Sequence, residues 1–180
     1  MAASPTIAYR TKDQQVPAAG RDAALIRCIF DHFKDNPHGF EPCAARLAAM
    51  MDSNVHIETI TRPSVDGGRD AIGIYRVGPL ADRIALDFAL EAKCYAADNG
   101  VGVKELSRLI SRLRHREFGI LVTTSFLGHQ AYEELRHDKH PVVVIAGADI
   151  AAILMRAGLG TCDAVNEWLA AEFPTKPRLT

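Results

Sequence analysis

The sequence predicts an α/β fold in which a mixed central β-sheet is flanked by helices. Three successive segments with strand-like patterning fill residues 55–95, and helices then alternate with strands from residue 103 to residue 172. The chain has 180 residues, of which 48% are hydrophobic and 24% charged. This balance is typical of a folded domain and excludes a disordered chain, a fibrous repeat and a coiled coil. We expect one domain over residues 21–173 and a short tail at 174–180.

The first quarter of the chain predicts a leader followed by two helices. Residues 1–20 are polar and punctuated by Pro and Gly without a clear period, so we expect a flexible leader or a linker from an upstream domain. From Asp22, an apolar stripe with helical spacing predicts a helix that ends near Asn36–Pro37. A second helix is predicted from Phe40 to Met51.

The middle of the chain predicts a meander of three strands. Apolar and polar residues alternate from Val55 to Thr61, and the Asp-Gly-Gly sequence at 66–68 favours a tight turn. Ala71–Tyr75 and Ile84–Tyr95 are the next two strands. The remaining segments predict helices Val103–Arg116, Gly128–His137, Asp149–Ala157 and Asp163–Glu172, and strands Phe118–Thr124 and Val142–Ile145.

A pair of charged residues falls in a strand that otherwise has a buried pattern. With a period of two, Glu91 and Lys93 share one face of the third strand. Asp70 begins the preceding strand, which we expect to pair with it. Two carboxylates from adjacent strands can bind an octahedral Mg²⁺ that keeps several waters. A lysine beside that ion can orient or deprotonate one water, so these three residues predict a catalytic metal site.

The same residues also have a more ordinary interpretation. Glu91 and Lys93 can form a salt bridge on a solvated strand face. Asp87 shares the face of Glu91 and is a weaker metal candidate than Asp70. Thr123 and Thr124 end a strand, and we expect them to be structural.

Four motifs in this order resemble a known nuclease family. They are Phe40-Glu41 at a helix start, Asp-Gly-Gly-Arg-Asp at 66–70, Glu-Ala-Lys at 91–93 and the strand Phe118–Ser125. Together they look like the Mrr-like restriction endonucleases of the PD-(D/E)xK superfamily, and like the catalytic modules of modification-dependent restriction enzymes. The resemblance covers roughly Phe40 to Gly158.

The resemblance implies a restriction-endonuclease-like fold and a role for each matching residue. Asp70 and Glu91 would be metal-binding carboxylates and Lys93 the catalytic lysine. Glu41 would support the metal site or its water network. The alternative for Glu41 is an acidic residue that the dipole of its helix stabilises.

Basic residues are concentrated in one segment. The chain carries 21 Lys and Arg against 22 Asp and Glu, for a net charge of −1. Residues 104–116 hold five basic residues and one acidic residue, a net +4 that leaves the rest at −5. The basic stripe is either a solvated face or a surface for DNA phosphates. The residues expected to bind DNA are Arg69, Lys104, Arg108, Arg112 and Arg116.

Other types of site are poorly supported. The loop Asn99–Gly102 places Glu105 where a dinucleotide pyrophosphate would bind. His129, His137 and His140 lack cysteine partners for zinc. The four dispersed cysteines suit free thiols in a reducing cytoplasm, and no apolar run is long enough to span a membrane.

These observations favour an Mg²⁺- or Mn²⁺-dependent endonuclease that hydrolyses double-stranded DNA in restriction or defence. Cutting both strands would require a homodimer or sequential nicks, and target recognition would require a separate domain or subunit. One alternative is a structure-specific repair or recombination nuclease of the same superfamily. The other is a non-catalytic DNA-binding module with this fold.

Overall fold

The computed structural model describes residues 9–60 and 70–174. Its strands are β1 Val55–Ile60, β2 Ala71–Val77, β3 Ile84–Lys93, β4 Phe118–Thr123 and β5 Val142–Ile145. Its α-helices are α1 Lys12–Gln15, α2 Gly20–Phe33, α3 Phe40–Met51, α4 Val103–Ile110, α5 His129–His137, α6 Gly147–Arg156 and α7 Cys162–Glu172. A short 3₁₀ turn, Pro37–Gly39, precedes α3.

The described strands form one mixed sheet in the order β1-β2-β3-β4-β5. The first three strands are antiparallel, as short connections between successive strands require. The last three are parallel, and the connections between them carry α4 and α5. The predicted α/β fold with a mixed sheet and flanking helices is therefore confirmed.

The sheet has an apolar core on each face. Phe88 and Leu90 point toward α2, α3, α6 and α7 and belong to the larger core. Ala89 points to the opposite face and packs with Leu106 of α4 and Tyr132 of α5 in a smaller core. The period-two pattern of β3 thus divides its side chains between the two faces as the sequence predicted.

The predicted helix Val103–Arg116 is too long, because α4 ends at Ile110. The Ser111 hydroxyl donates to the carbonyl of Arg108, and the Arg114 amide donates to the Glu117 carboxylate, so local side-chain bonds replace helical ones. Arg116 has a φ of 70°, which belongs to a turn. Like charges spaced four residues apart also disfavour continuing the helix.

Within the segment 1–20, for which the sequence predicts a flexible leader or a linker, the residues from Tyr9 onward pack on the domain. The Arg10 guanidinium donates to both carboxylate oxygens of Asp149 at 2.9 and 2.7 Å and to the carbonyl of Val144 at 3.0 Å. The buried Gln15 side chain bonds the backbone N–H and C=O of Leu127. We call Arg10 and Gln15 the amino-terminal clamp. The clamp supplies hydrogen-bond partners to Asp149, to the Val144 carbonyl and to the Leu127 backbone.

Some predicted features fall outside the described residues. The turn at 66–68 lies in the segment 61–69, residues 1–8 precede the described part, and the tail is described only at position 174. In the part of the chain that the structure describes, no helix is both long enough and apolar enough to cross a bilayer.

Candidate functional site

Asp70 is held at the end of β3 by two backbone contacts. Ala71, the first residue of β2, is paired with Leu90 of β3, and the Asp70 amide donates to the Leu90 carbonyl at 3.0 Å. The Ala92 amide donates to Asp70 Oδ2 at 2.7 Å. The antiparallel register that the sequence predicted therefore brings Asp70 to the Glu91–Lys93 end of β3.

Glu91 is fully buried and carries a cation on each carboxylate oxygen. Lys93 Nζ lies 2.6 Å from Oε1, and Arg112 Nη1 lies 3.1 Å from Oε2. Lys93 also donates to the carbonyl of Ala92 at 3.1 Å. The alternative interpretation, a Glu91–Lys93 salt bridge on a solvated strand face, is correct about the salt bridge. It is wrong about the solvent, because Glu91 is buried. We call Asp70, Glu91, Lys93 and Arg112 the charged cluster.

The surroundings of Asp70 disfavour its ionised form. Burial, with the negative charges of Glu91 and Glu41, raises the pKa of this carboxyl from 3.8 to about 6. The Ala92 amide and the Lys93 ammonium act in the opposite direction without cancelling that rise. A cation beside Asp70 would favour the ionised form, so the cluster has the electrostatics of a cation site.

Glu41 lies in the first turn of α3, and its charge reaches Asp70. Its side chain is 13% exposed and is bonded at 2.7 Å to Nδ1 of His38, which is 73% exposed. The position of Glu41 is compatible with both interpretations, because it lies at a helix N-terminus, where the helix dipole stabilises an acid, and its charge also acts on Asp70. Sequence reasoning missed His38, although its spacing three residues before Glu41 was a visible signal.

The donors present suit a small, hard cation. Within residues 9–60 and 70–174, no group of three or more His, Cys, Asp and Glu side chains is arranged to enclose a metal ion. Mg²⁺ does not need such a group, because it is commonly held by one or two carboxylates and keeps several waters. Asp70 and Glu91 fit that requirement.

The predicted DNA-binding residues do not form one continuous stripe. Lys104 and Arg108 are exposed on α4, and Arg116 is exposed in the turn beyond it. Arg112 instead turns inward to Glu91, and Arg69 lies outside the described residues. Sequence reasoning missed the contact between Arg112 and Glu91, because a continued helix would have carried Arg112 outward.

A second buried polar group lies at the end of β4, next to the charged cluster. Thr124 Oγ1 donates to the Tyr95 carbonyl at 2.7 Å and accepts from the Tyr95 amide at 2.9 Å. Ser125 Oγ donates to the Asn99 carbonyl, and the Ser125 amide donates to Thr123 Oγ1. We call Thr123, Thr124 and Ser125 the hydroxyl cluster. Its bonds are internal to the fold, as expected for structural residues.

The dinucleotide site and the zinc site considered from the sequence have no support among the described residues: the Gly102 amide already has a partner, and the histidines lie at the surface. A Glu105 carboxylate oxygen accepts from the Gly102 amide at the start of α4, where a pyrophosphate would otherwise bind. His137 and His129 are largely exposed. All four cysteines of the chain are free thiols.

The chain is similar to known proteins in both sequence and structure. Residues 34–154 match the family Mrr_cat, described as restriction endonuclease. The structure is similar to the DNA modification-dependent restriction endonuclease AspBHI, with 48% sequence identity and a TM-score of 0.85. It is also similar to the MspJI restriction endonuclease in complex with a 27-mer oligonucleotide, with 30% identity and a TM-score of 0.79.

The similarity covers nearly all of this chain but less than half of either relative. It spans 94% of this chain, 44% of the AspBHI chain and 40% of the MspJI chain. No curated protein matches the sequence.

Proposed function

This chain belongs to the restriction endonuclease family Mrr_cat, and we propose that it is a catalytic module that hydrolyses phosphodiester bonds of double-stranded DNA in restriction or defence. One observation carries the proposal: β2 and β3 bring the partly buried Asp70 and Lys93 together with the fully buried Glu91. Ionised groups are costly to bury unless they are paired or bind a metal. The 48% identity to AspBHI supports the same conclusion.

The cofactor of this module is a divalent cation, Mg²⁺ or Mn²⁺, held by Asp70 and Glu91. Such an ion polarises a phosphoryl oxygen and lowers the pKa of a bound water. The Ala92 amide orients Asp70 for this role by bonding one of its carboxylate oxygens. The full burial of Glu91 and the partial burial of Asp70 lower the local dielectric, which strengthens the attraction of both carboxylates for the ion.

Lys93 is the catalytic lysine. Its ammonium is fixed between the Glu91 carboxylate and the Ala92 carbonyl, and its side chain is 17% exposed. An ammonium held there can orient the attacking water and offset the charge that develops on the phosphate. Glu41 supports this arrangement electrostatically, and its bond to His38 fixes the orientation of its carboxylate.

DNA is bound through exposed basic residues on α4, in the turn beyond it and next to Asp70 in the sequence. Lys104, Arg108 and Arg116 are exposed, and Arg69 precedes Asp70 directly. Phosphate contacts of this kind position a duplex without reading its sequence. The oligonucleotide in the MspJI structure supports DNA as the partner.

This domain carries one candidate active site, so double-strand cleavage requires a homodimer or two sequential nicks. A separate recognition domain or subunit supplies the specificity. The free thiols of the chain support a reducing cytoplasmic location.

Plasmid cleavage tests the proposal. The protein is incubated with methylated and unmethylated plasmid in Mg²⁺, Mn²⁺ or EDTA, in parallel with Asp70→Asn, Glu91→Gln and Lys93→Met. The matched control is Asp87→Asn, because Asp87 lies on the same strand but is exposed. We expect metal-dependent cleavage by the native protein and the control, and loss of cleavage in the other three.

Three results would contradict the proposal. Cleavage that persists in all three variants would remove the catalytic assignment. DNA binding without cleavage in any metal or with any plasmid would indicate a non-catalytic module, and a preference for branched over linear DNA would indicate a repair nuclease.

A further inference from the structure

The side chain of Arg112 has an unusual position for a basic residue next to a DNA-binding helix. It is only 18% exposed, and its guanidinium lies 3.1 Å from Oε2 of the buried Glu91. The contact depends on the early end of α4 at Ile110, which places Arg112 in a turn. The helix end therefore gives the site a second cation that belongs to neither β2 nor β3.

We propose that Arg112 is a positioning residue that neutralises Glu91 in the cation-free protein and competes with the divalent cation for Glu91 Oε2. This inference rests on the proposed function, because it concerns the same metal site. Each Glu91 oxygen already has a cation, Lys93 on Oε1 and Arg112 on Oε2. A metal ion that binds this carboxylate adds a third cation beside the two already there and competes with them for the oxygens.

Arg112 is the cation that yields. Lys93 is part of β3, which is paired with β2 on one side and β4 on the other. Arg112 reaches Glu91 from a turn outside regular secondary structure. A turn residue can move its side chain at lower cost than a residue in the centre of a sheet.

The formal charges of the cluster give the same answer. Asp70 and Glu91 contribute −2 when ionised, and Lys93 with Arg112 contributes +2, so these four residues carry no net charge without a metal, and Glu41 adds one negative charge that reaches Asp70. A divalent cation added to this partly buried set leaves an excess of positive charge, which is unfavourable. Movement of Arg112 away from Glu91 reduces that excess and makes room at Oε2.

Metal binding to the full chain tests the proposal with a readout other than cleavage. Binding of Mg²⁺ and of Ca²⁺ is measured by titration calorimetry for the native protein, Arg112→Gln and Arg112→Lys. The control is Arg114→Gln, the same change two residues further along, at an exposed position. We expect Arg112→Gln to bind the cation about five- to tenfold more tightly, Arg112→Lys to show a smaller gain, and the control to match the native protein.

Thermal unfolding separates this role from a purely structural one. We expect Arg112→Gln to lower the melting temperature in EDTA and to recover most of that loss in Mg²⁺, because the metal replaces the missing charge. A structural role alone predicts the same loss in both conditions. If Arg112→Gln does not fold, the cation affinity and the melting temperatures of Arg112→Lys provide the same test.

Unchanged or weaker cation binding in these variants would overturn the proposal. The proposed function would still stand if the native protein cleaved DNA in a metal-dependent way and Asp70→Asn did not. A native protein that neither bound a divalent cation nor cleaved DNA would overturn both.

Discussion

The charged cluster and the hydroxyl cluster lie side by side, but the partners of their polar groups differ. They occupy the ends of two adjacent parallel strands, where Lys93 is paired with Thr123 in the sheet register. In the hydroxyl cluster, Thr124 and Ser125 bond the backbone of the segment that follows β3. These neutral groups satisfy one another within the fold.

The charged cluster is balanced less completely. Glu91 has two cationic partners, yet Asp70 remains in surroundings that raise the pKa of its carboxyl to about 6. A site arranged only for stability would not bring a third negative charge, Glu41, close enough to oppose this ionisation. The difference between neighbouring strand ends is the one expected if the hydroxyl cluster serves the fold and the charged cluster serves the proposed cation.

The largest expected difference between the clusters is in catalysis. Glu91→Gln and Lys93→Met should each reduce DNA cleavage by about 10²- to 10⁴-fold, the range for loss of a group that handles protons or charge at the reacting centre. Thr123→Val should retain a cleavage rate of native order per folded molecule. Single-turnover cleavage at equal folded concentrations measures both, and a comparable loss in Thr123→Val would remove the distinction.

The next largest expected difference is in the free energy of unfolding, which substitutions in the two clusters should change in opposite directions. Because the folded-state pKa of Asp70 is raised, ionisation of this carboxyl destabilises the metal-free protein as the pH rises from 3.8 to about 6. Asp70→Asn removes this penalty and should be more stable than the native protein by roughly 2–3 kcal/mol above that window, with no difference below it. Urea unfolding in EDTA across this pH range measures the difference. A native protein that is more stable than Asp70→Asn at neutral pH would contradict the expectation.

A substitution in the hydroxyl cluster should lower the free energy of unfolding, whereas Asp70→Asn should raise it. Thr124→Val removes the partner of both the N–H and the C=O of Tyr95. We expect a loss of about 1–3 kcal/mol in the free energy of unfolding, with little dependence on pH or on Mg²⁺. Urea unfolding with and without Mg²⁺ checks this. A loss that Mg²⁺ reversed would place Thr124 in the metal site.

The smallest expected effect concerns basic residues outside both clusters. Lys104→Gln and Arg108→Gln remove exposed charges of α4 and should leave unfolding unchanged. Each should reduce the slope of log affinity for DNA against log salt by about one. Fluorescence anisotropy with a short duplex in Ca²⁺ measures this slope, and an unchanged slope in both variants would place the DNA elsewhere.

Local patterns predicted much of the site. Alternation along β3 separated Glu91 and Lys93 from the apolar face, and the hairpin order brought Asp70 to them. The predicted bounds of α3, Phe40–Met51, agree with the structure. These features depend on residues that are close in the sequence or paired by a regular register, so their periods are visible in one chain.

Long-range contacts could not be predicted in the same way. Arg10 and Asp149 are 139 residues apart, and Gln15 and Leu127 are 112 apart. A polar segment punctuated by Pro and Gly has no local signal for partners at such distances. The position of Arg112 depended on where α4 stops, and helix ends are set by competing bonds of similar strength.

The amino-terminal clamp has a practical consequence for building chimaeric nucleases. A fragment cut at residue 21 would retain every predicted catalytic residue but would leave Asp149 and the Leu127 backbone without their Arg10 and Gln15 partners. Leu127 lies two residues beyond Ser125 of the hydroxyl cluster, so such a cut would loosen the strand end next to the charged cluster. A junction to a different DNA-reading module therefore belongs upstream of Arg10.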